Sequence, residues 1–120
     1  MLSLAPSIRY FLYQHQADMR KGFDSLSGLV RDGLGKDPLS GDVFIFFNRR
    51  RTHVKLLLWE RDGYSIYHKR LEKGSYELPL NEKLELTSDQ LMLILHGISL
   101  KTVRMRKRFD LSKNIFPISE

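Results

Sequence analysis

The sequence contains no cysteine, which excludes disulfides and thiolate metal sites and fits a reducing cytoplasm, the expected location. No apolar run approaches the roughly 20 residues that a membrane helix needs, and no signal-peptide pattern opens the chain. Internal repeats and low-complexity segments are also missing. The glycines lack phosphate-loop spacing, and no Gly-Lys-Ser/Thr occurs. The four histidines, His15, His53, His68 and His96, stand scattered without metal-ligand spacing. No serine or cysteine forms a nucleophile constellation with them. Asp18, Asp37, Asp42, Glu60, Asp62 and Glu72 fall at turns and helix ends, whereas two-metal phosphoryl transfer needs carboxylates converging from rigid elements. A non-enzyme with no metal and no cofactor is expected.

What is present is one domain's worth of chain. It has 120 residues, 42% of them hydrophobic and 28% charged, enough to bury a core. The net charge of +6 favours a polyanionic partner, although excess lysine and arginine can serve solubility alone.

The densest signal runs from Val43 to Leu71. Three runs rich in β-branched and aromatic residues, Val43–Phe47, Val54–Trp59 and Tyr64–His68, are separated by Asn48-Arg49-Arg50-Arg51 and by Arg61-Asp62-Gly63. They read as an antiparallel meander. A two-residue Asp62-Gly63 loop would set Lys55 opposite Arg70, Leu57 opposite His68 and Trp59 opposite Ile66. A four-residue loop at Asn48–Arg51 would set Phe44 opposite Lys55 and Phe46 opposite His53. One face then carries Val43, Ile45, Phe47, Val54, Leu56, Leu58, Tyr67 and Leu71, interrupted by Lys69. That is a core face. The other mixes Phe44, Phe46, Leu57, Trp59, Tyr64 and Ile66 with His53, Lys55, His68 and Arg70. A one-residue change in either loop would exchange the faces.

Around this meander, Ile8–Tyr13 offers a further strand, limited toward the N-terminus by Pro6. Met19, Phe23, Leu26 and Val30 recur with helical spacing, with Asp18 as the expected N-cap and Gly33 or Gly35 as the stop. That places Arg20 and Lys21 in the first turn, where free N–H groups favour an anion; their bland role is a salt bridge, for instance to Asp24. Ser75–Leu78 offers a short strand ended by Pro79. Thr87 and Gln90 have capping-box spacing before the stripe Leu91, Ile94, Leu95 and Ile98, and Gly97 suits the helix end. The expected fold is α+β: an antiparallel sheet of four or five strands with two main helices, over residues 1–100. Residues 101–120 read as a basic, flexible tail.

Basic residues gather in three places: Arg49, Arg50 and Arg51 in a loop, Lys55, Lys69 and Arg70 on strands, and Arg104, Arg106, Lys107 and Arg108 in the tail. Such runs are usually solvated, but several in one small basic domain suit phosphate contacts. Phe44, Phe46 and Trp59 are candidates for base stacking if their face is open.

Several of these segments carry a resemblance. Asp18-Met19-Arg20-Lys21-Gly22-Phe23-Asp24, Asp37-Pro38-Leu39-Ser40-Gly41, Phe44–Arg51, Val54-Lys55-Leu56-Leu57, Asp62-Gly63-Tyr64 and Lys69–Gly74 stand in an order similar to that of TnpB-type accessory proteins of IS66-type bacterial insertion sequences. These are unrelated to the RNA-guided nucleases sharing the TnpB label. The resemblance covers about residues 8–100. This chain departs at Phe47, where a basic or polar residue is common, and at Thr52-His53, where an acidic-basic pair is usual. The resemblance implies a non-catalytic role in transposition beside a separate transposase and another element-encoded accessory protein. Three modes of action are open: binding DNA at the transposon ends, serving as a protein adaptor without DNA contact, or holding single-stranded nucleic acid. No membrane partner is implied.

Overall fold

The computed structural model describes residues 4–79 and 83–97. Five strands form one sheet: β1 (Tyr10–Leu12), β2 (Val43–Phe47), β3 (His53–Trp59), β4 (Tyr64–Arg70) and β5 (Glu85–Leu86). Two helices, α1 (Phe23–Leu34) and α2 (Ser88–His96), complete the α+β fold. The strand order is β4-β3-β2-β1-β5.

The meander forms as expected, with its registers moved. Phe46 faces Lys55 and Phe44 faces Leu57 across β2–β3. Lys55 faces His68, Leu57 faces Ile66 and Trp59 faces Tyr64 across β3–β4. Both shifts come from the turns. Asn48 N–H donates to His53 O at 3.3 Å, so Asn48 is already paired and the loop is Arg49–Thr52. The Asn48 side-chain oxygen accepts from the backbone N–H of both Thr52 and His53, at 2.9 Å each, which closes this loop. In the second turn Glu60 pairs with Gly63, and the positive φ (64°) falls on Arg61 rather than on glycine. Each register therefore moves by two residues. With a side-chain period of two, every residue keeps its expected face.

The helices cover opposite faces. Leu26 and Val30 of α1 pack on Phe44, Phe46, Leu57 and Phe11. Leu91 and Ile94 of α2 pack on Val43, Ile45, Leu56 and Tyr10. Phe44 and Phe46 are fully buried, each contributing about 1.5–3 kcal/mol of apolar burial.

The remaining elements depart further from the expectations. β1 pairs parallel to β2, and the connection between them is α1. Beyond β1 the chain stays beside β2, with Tyr13 N–H donating to Ile45 O and Ala17 N–H to Phe47 O, both at 2.9 Å. Asp18 does not cap α1; Gly22 stands at the N-cap with no side-chain cap. Asp18 is engaged locally instead. Its carboxylate accepts from Arg20 N–H at 2.9 Å, and its carbonyl from Lys21 N–H at 3.0 Å, a turn that delays the helix by one turn. Met19 thus precedes the helix, and Phe23 is 50% exposed. Gly35, with φ 63°, ends α1 as expected.

Residues Ser75–Leu78 form no strand. Tyr76 is drawn to the hairpin loop, its N–H donating to Arg51 O at 2.7 Å, while its ring is buried against Phe47. The fifth strand is β5, antiparallel to β1. α2 has the expected capping box, with Gln90 N–H donating to Thr87 Oγ1 and Thr87 N–H to Gln90 Oε1, and Gly97 (φ 81°) at its end. Ile98 and the basic tail lie outside the described residues.

Candidate nucleic-acid interface

The end of the sheet where β2 runs into β3 gathers most of the basic residues among those described. Three chain segments meet there, each brought by a bond already fixed by the fold. The Arg49–Thr52 loop lies beside the end of β4, because Leu71 N–H donates to Thr52 O at 2.8 Å and His53 faces Arg70. The segment leading to Asp18 reaches the same end through Ala17 N–H and Phe47 O. The Met19–Lys21 turn is then tied down by Lys55, whose Nζ donates to Met19 O and to Lys21 O, both at 2.8 Å.

This corrects the sequence expectation for Lys55. It is only 8% exposed, and its ammonium donates to two backbone carbonyls on the α1 side of the sheet. A buried cation needs such partners, since leaving it unpaired costs several kcal/mol. Lys55 is thus a positioning residue rather than a phosphate contact. Two of the three stacking candidates, Phe44 and Phe46, are corrected as well. Phe44 and Phe46 lie wholly beneath α1, Phe44 stacked on Phe11 at 5.9 Å between centroids. Trp59 is half-buried at the far end of β3, edge-on to Tyr64.

The other candidates are accessible. Arg49, Arg50, Arg51, Lys69 and Arg70 are exposed, and Lys21 is half-buried. Arg70 pairs with Glu72 at 2.9 Å. Arg20 pairs with Asp18 at 2.7 Å, not with Asp24. The guanidinium and backbone N–H of Arg20 hold the Asp18 carboxyl well below the usual carboxylate range, and Asp18 raises Arg20 in return. Among the described residues no carboxylate pairs with Arg49, Arg50, Arg51, Lys21 or Lys69. Arg104, Arg106, Lys107 and Arg108 lie outside the described residues.

The structure adds two histidines that sequence reasoning left as scattered. The rings of His53 and His68 lie 5.6 Å apart, next to Lys55. Loss of water around the ring, then the charges of Lys55 and His53, hold His68 below the ordinary imidazole value. The Asn48 oxygen is committed to two backbone N–H groups, so its amide nitrogen faces His53 Nδ1 at 3.3 Å. Thr52 Oγ1 lies 3.0 Å from the same ring nitrogen and 3.0 Å from the Asn48 amide, so the three side chains form one polar cluster at the loop. The only sequence signal for this pair was its shared face. Among the described residues, no group of three or more His, Cys, Asp or Glu could hold a metal ion. No described helix is long and apolar enough to cross a membrane. Chemically, the arrangement offers charge and donors to an anion.

Comparison with known proteins places this chain in a family. The model of the IS66 Orf2-like proteins, the IS66 TnpB family, matches residues 8–105. The uncharacterized protein y4hO of Sinorhizobium fredii is 31% identical over 100 residues, covering 82% of this chain and 87% of the relative. A second protein of that organism, y4jC, is 25% identical over 108 residues, covering 88% and 92%. No solved structure matches significantly. The matched span contains the whole meander, both helices and the Met19–Lys21 turn, and the chain belongs to the IS66 Orf2-like family of insertion-sequence accessory proteins.

Proposed function

We propose that this protein holds the phosphate backbone of duplex DNA at the transposon ends, working beside the transposase that performs strand chemistry. The observation that carries this reading is the convergence of three separate segments, at Arg20–Lys21, Arg49–Arg51 and Lys69–Arg70, on one end of the sheet. Most of their cations have no carboxylate partner among the described residues. Unpaired guanidinium and ammonium groups suit phosphates, with guanidinium adding forked hydrogen bonds. The burial of Phe44 and Phe46 favours duplex over single strands, because base stacking needs an open aromatic platform. Arg104, Arg106, Lys107 and Arg108 would add further cations for phosphate contact.

A salt titration tests this. With duplex transposon ends, changing Arg49, Arg50 and Arg51 together to alanine should weaken binding. The slope of log affinity against log salt should fall by about 0.9 for each phosphate contact removed, largely regardless of sequence. Unchanged affinity and slope would leave the adaptor reading, in which the protein reaches DNA only through the transposase.

A further inference from the structure

The exposed edge of the sheet points to a protein partner. β4 is the terminal strand, seven residues without proline, glycine or bulge, paired with β3 along its whole length. Its unpaired groups follow from the turn bonds. Glu60 N–H donates to Gly63 O, and Leu71 N–H to Thr52 O. Hydrogen-bonded positions alternate along an antiparallel ladder, so Ser65, Tyr67 and Lys69 turn their backbone groups toward β3. Tyr64, Ile66, His68 and Arg70 therefore present N–H and C=O outward, with no strand to receive them among the described residues.

We propose that a second copy of this chain pairs antiparallel with this edge, about a two-fold axis through Tyr67. That register sets Tyr64 against Arg70 and Ile66 against His68, each twice by symmetry. All four outward-facing residues of each strand then find partners, and each residue pair exchanges two hydrogen bonds. Lysine and arginine on an edge strand ordinarily guard it against pairing. At this register the guard is not engaged: Lys69 meets Ser65, Arg70 meets a tyrosine ring, and no cation opposes a cation. A shift of two residues one way sets His68 against its own copy. A shift the other way leaves Arg70 beside the turn at Asp62. Tyr67, at the strand's midpoint and 39% exposed, meets its own copy on the axis. Two five-stranded sheets become one of ten strands.

The net charge of each chain resists the association at long range, so added salt should strengthen the dimer while it weakens DNA binding. Sedimentation of the full chain should give a dimeric mass that persists at high salt; a monomeric mass at every concentration and salt overturns the proposal. Because the chain has no cysteine, a single introduced one reports the register. Tyr67 would be a non-hydrogen-bonded pair with Cα atoms about 4.5 Å apart, within the range of a disulfide. Tyr67→Cys should therefore cross-link rapidly under mild oxidation. Met92→Cys, equally exposed on α2 at 42%, should not. Equal rates for the two variants would also overturn the proposal.

Discussion

The two faces of the sheet are built on different principles. The α2 face is apolar where the helix covers it: Val43, Ile45, Phe47, Val54 and Leu56 form one core with Leu91 and Ile94. The α1 face is divided. Over Phe44, Phe46 and Leu57 it is a core like the other. Toward the hairpin loop it turns polar, with Lys55, His53 and His68, and the covering chain is held by two hydrogen bonds from one ammonium. The first kind of face gives stability, while the second holds a charged turn in place at the edge of the core.

If the comparison is right, the largest effects belong to the apolar cores. Phe46→Ala should cost about 3–5 kcal/mol and Leu91→Ala about 2–5 kcal/mol, read as shifts in the denaturation midpoint. Leu95→Ala should cost less than Leu91→Ala, because Leu95 is only partly buried. Equal costs at these two leucines would show that α2 sits differently on its face.

Lys55→Met tests the divided face. It keeps the aliphatic stem but removes two charge-assisted bonds, with an expected cost of about 2–4 kcal/mol. The salt slope of DNA binding should stay as in the parent, because Lys55 positions the turn and touches no phosphate. A slope reduced by about 0.9 would return it to the contact surface.

A smaller effect is expected with pH. His68 is held below its ordinary value of 6.5, so between the two values the unfolded chain binds more protons than the folded one. Its contribution to stability is full above the unfolded value and is lost as pH falls through the folded one. His68→Gln should flatten that stretch of the stability profile. DNA affinity should move the opposite way, rising as pH falls, since a nearby phosphate favours the imidazolium. The smallest change is expected for Arg20→Ala. Its pairing with Asp18 is exposed to water, so the melting curve should be unaltered, whereas transposition should fall. A lower melting temperature would mean that the Asp18–Arg20 turn is structural.

The contrast between the faces also explains what the sequence made legible. The faces themselves survived two misplaced registers, because each loop kept its expected length and slid by one residue, which moves the register by two. The capping box of Thr87 and Gln90 and the glycine ends at Gly35 and Gly97 depend on neighbours within one turn, and were legible for that reason. The start of α1 was not. It is set by Asp18 folding back on Arg20 and by an amine 34 residues from Lys21, and helical periodicity does not encode that distance. Tyr76 was misread for the same reason: its hydrogen-bond partner belongs to a distant loop. In the candidate interface, the exposed arginines were legible from charge alone. The burial of Phe44, Phe46 and Lys55 was not, because it depends on which face α1 covers.

The Lys55 bonds to Met19 and Lys21 also set an order in time. The donor follows its acceptors by 36 and 34 residues, so the contact closes a loop containing all of α1 and β2. Closing so long a loop is slow relative to forming a helix or a hairpin. On a ribosome, α1 emerges well before β3, and its leading turn has nothing to grip until Lys55 has left the exit tunnel. The expected folding sequence is therefore meander first, with the Met19–Lys21 turn seated last. In kinetic terms, Lys55→Met should speed unfolding far more than it slows folding.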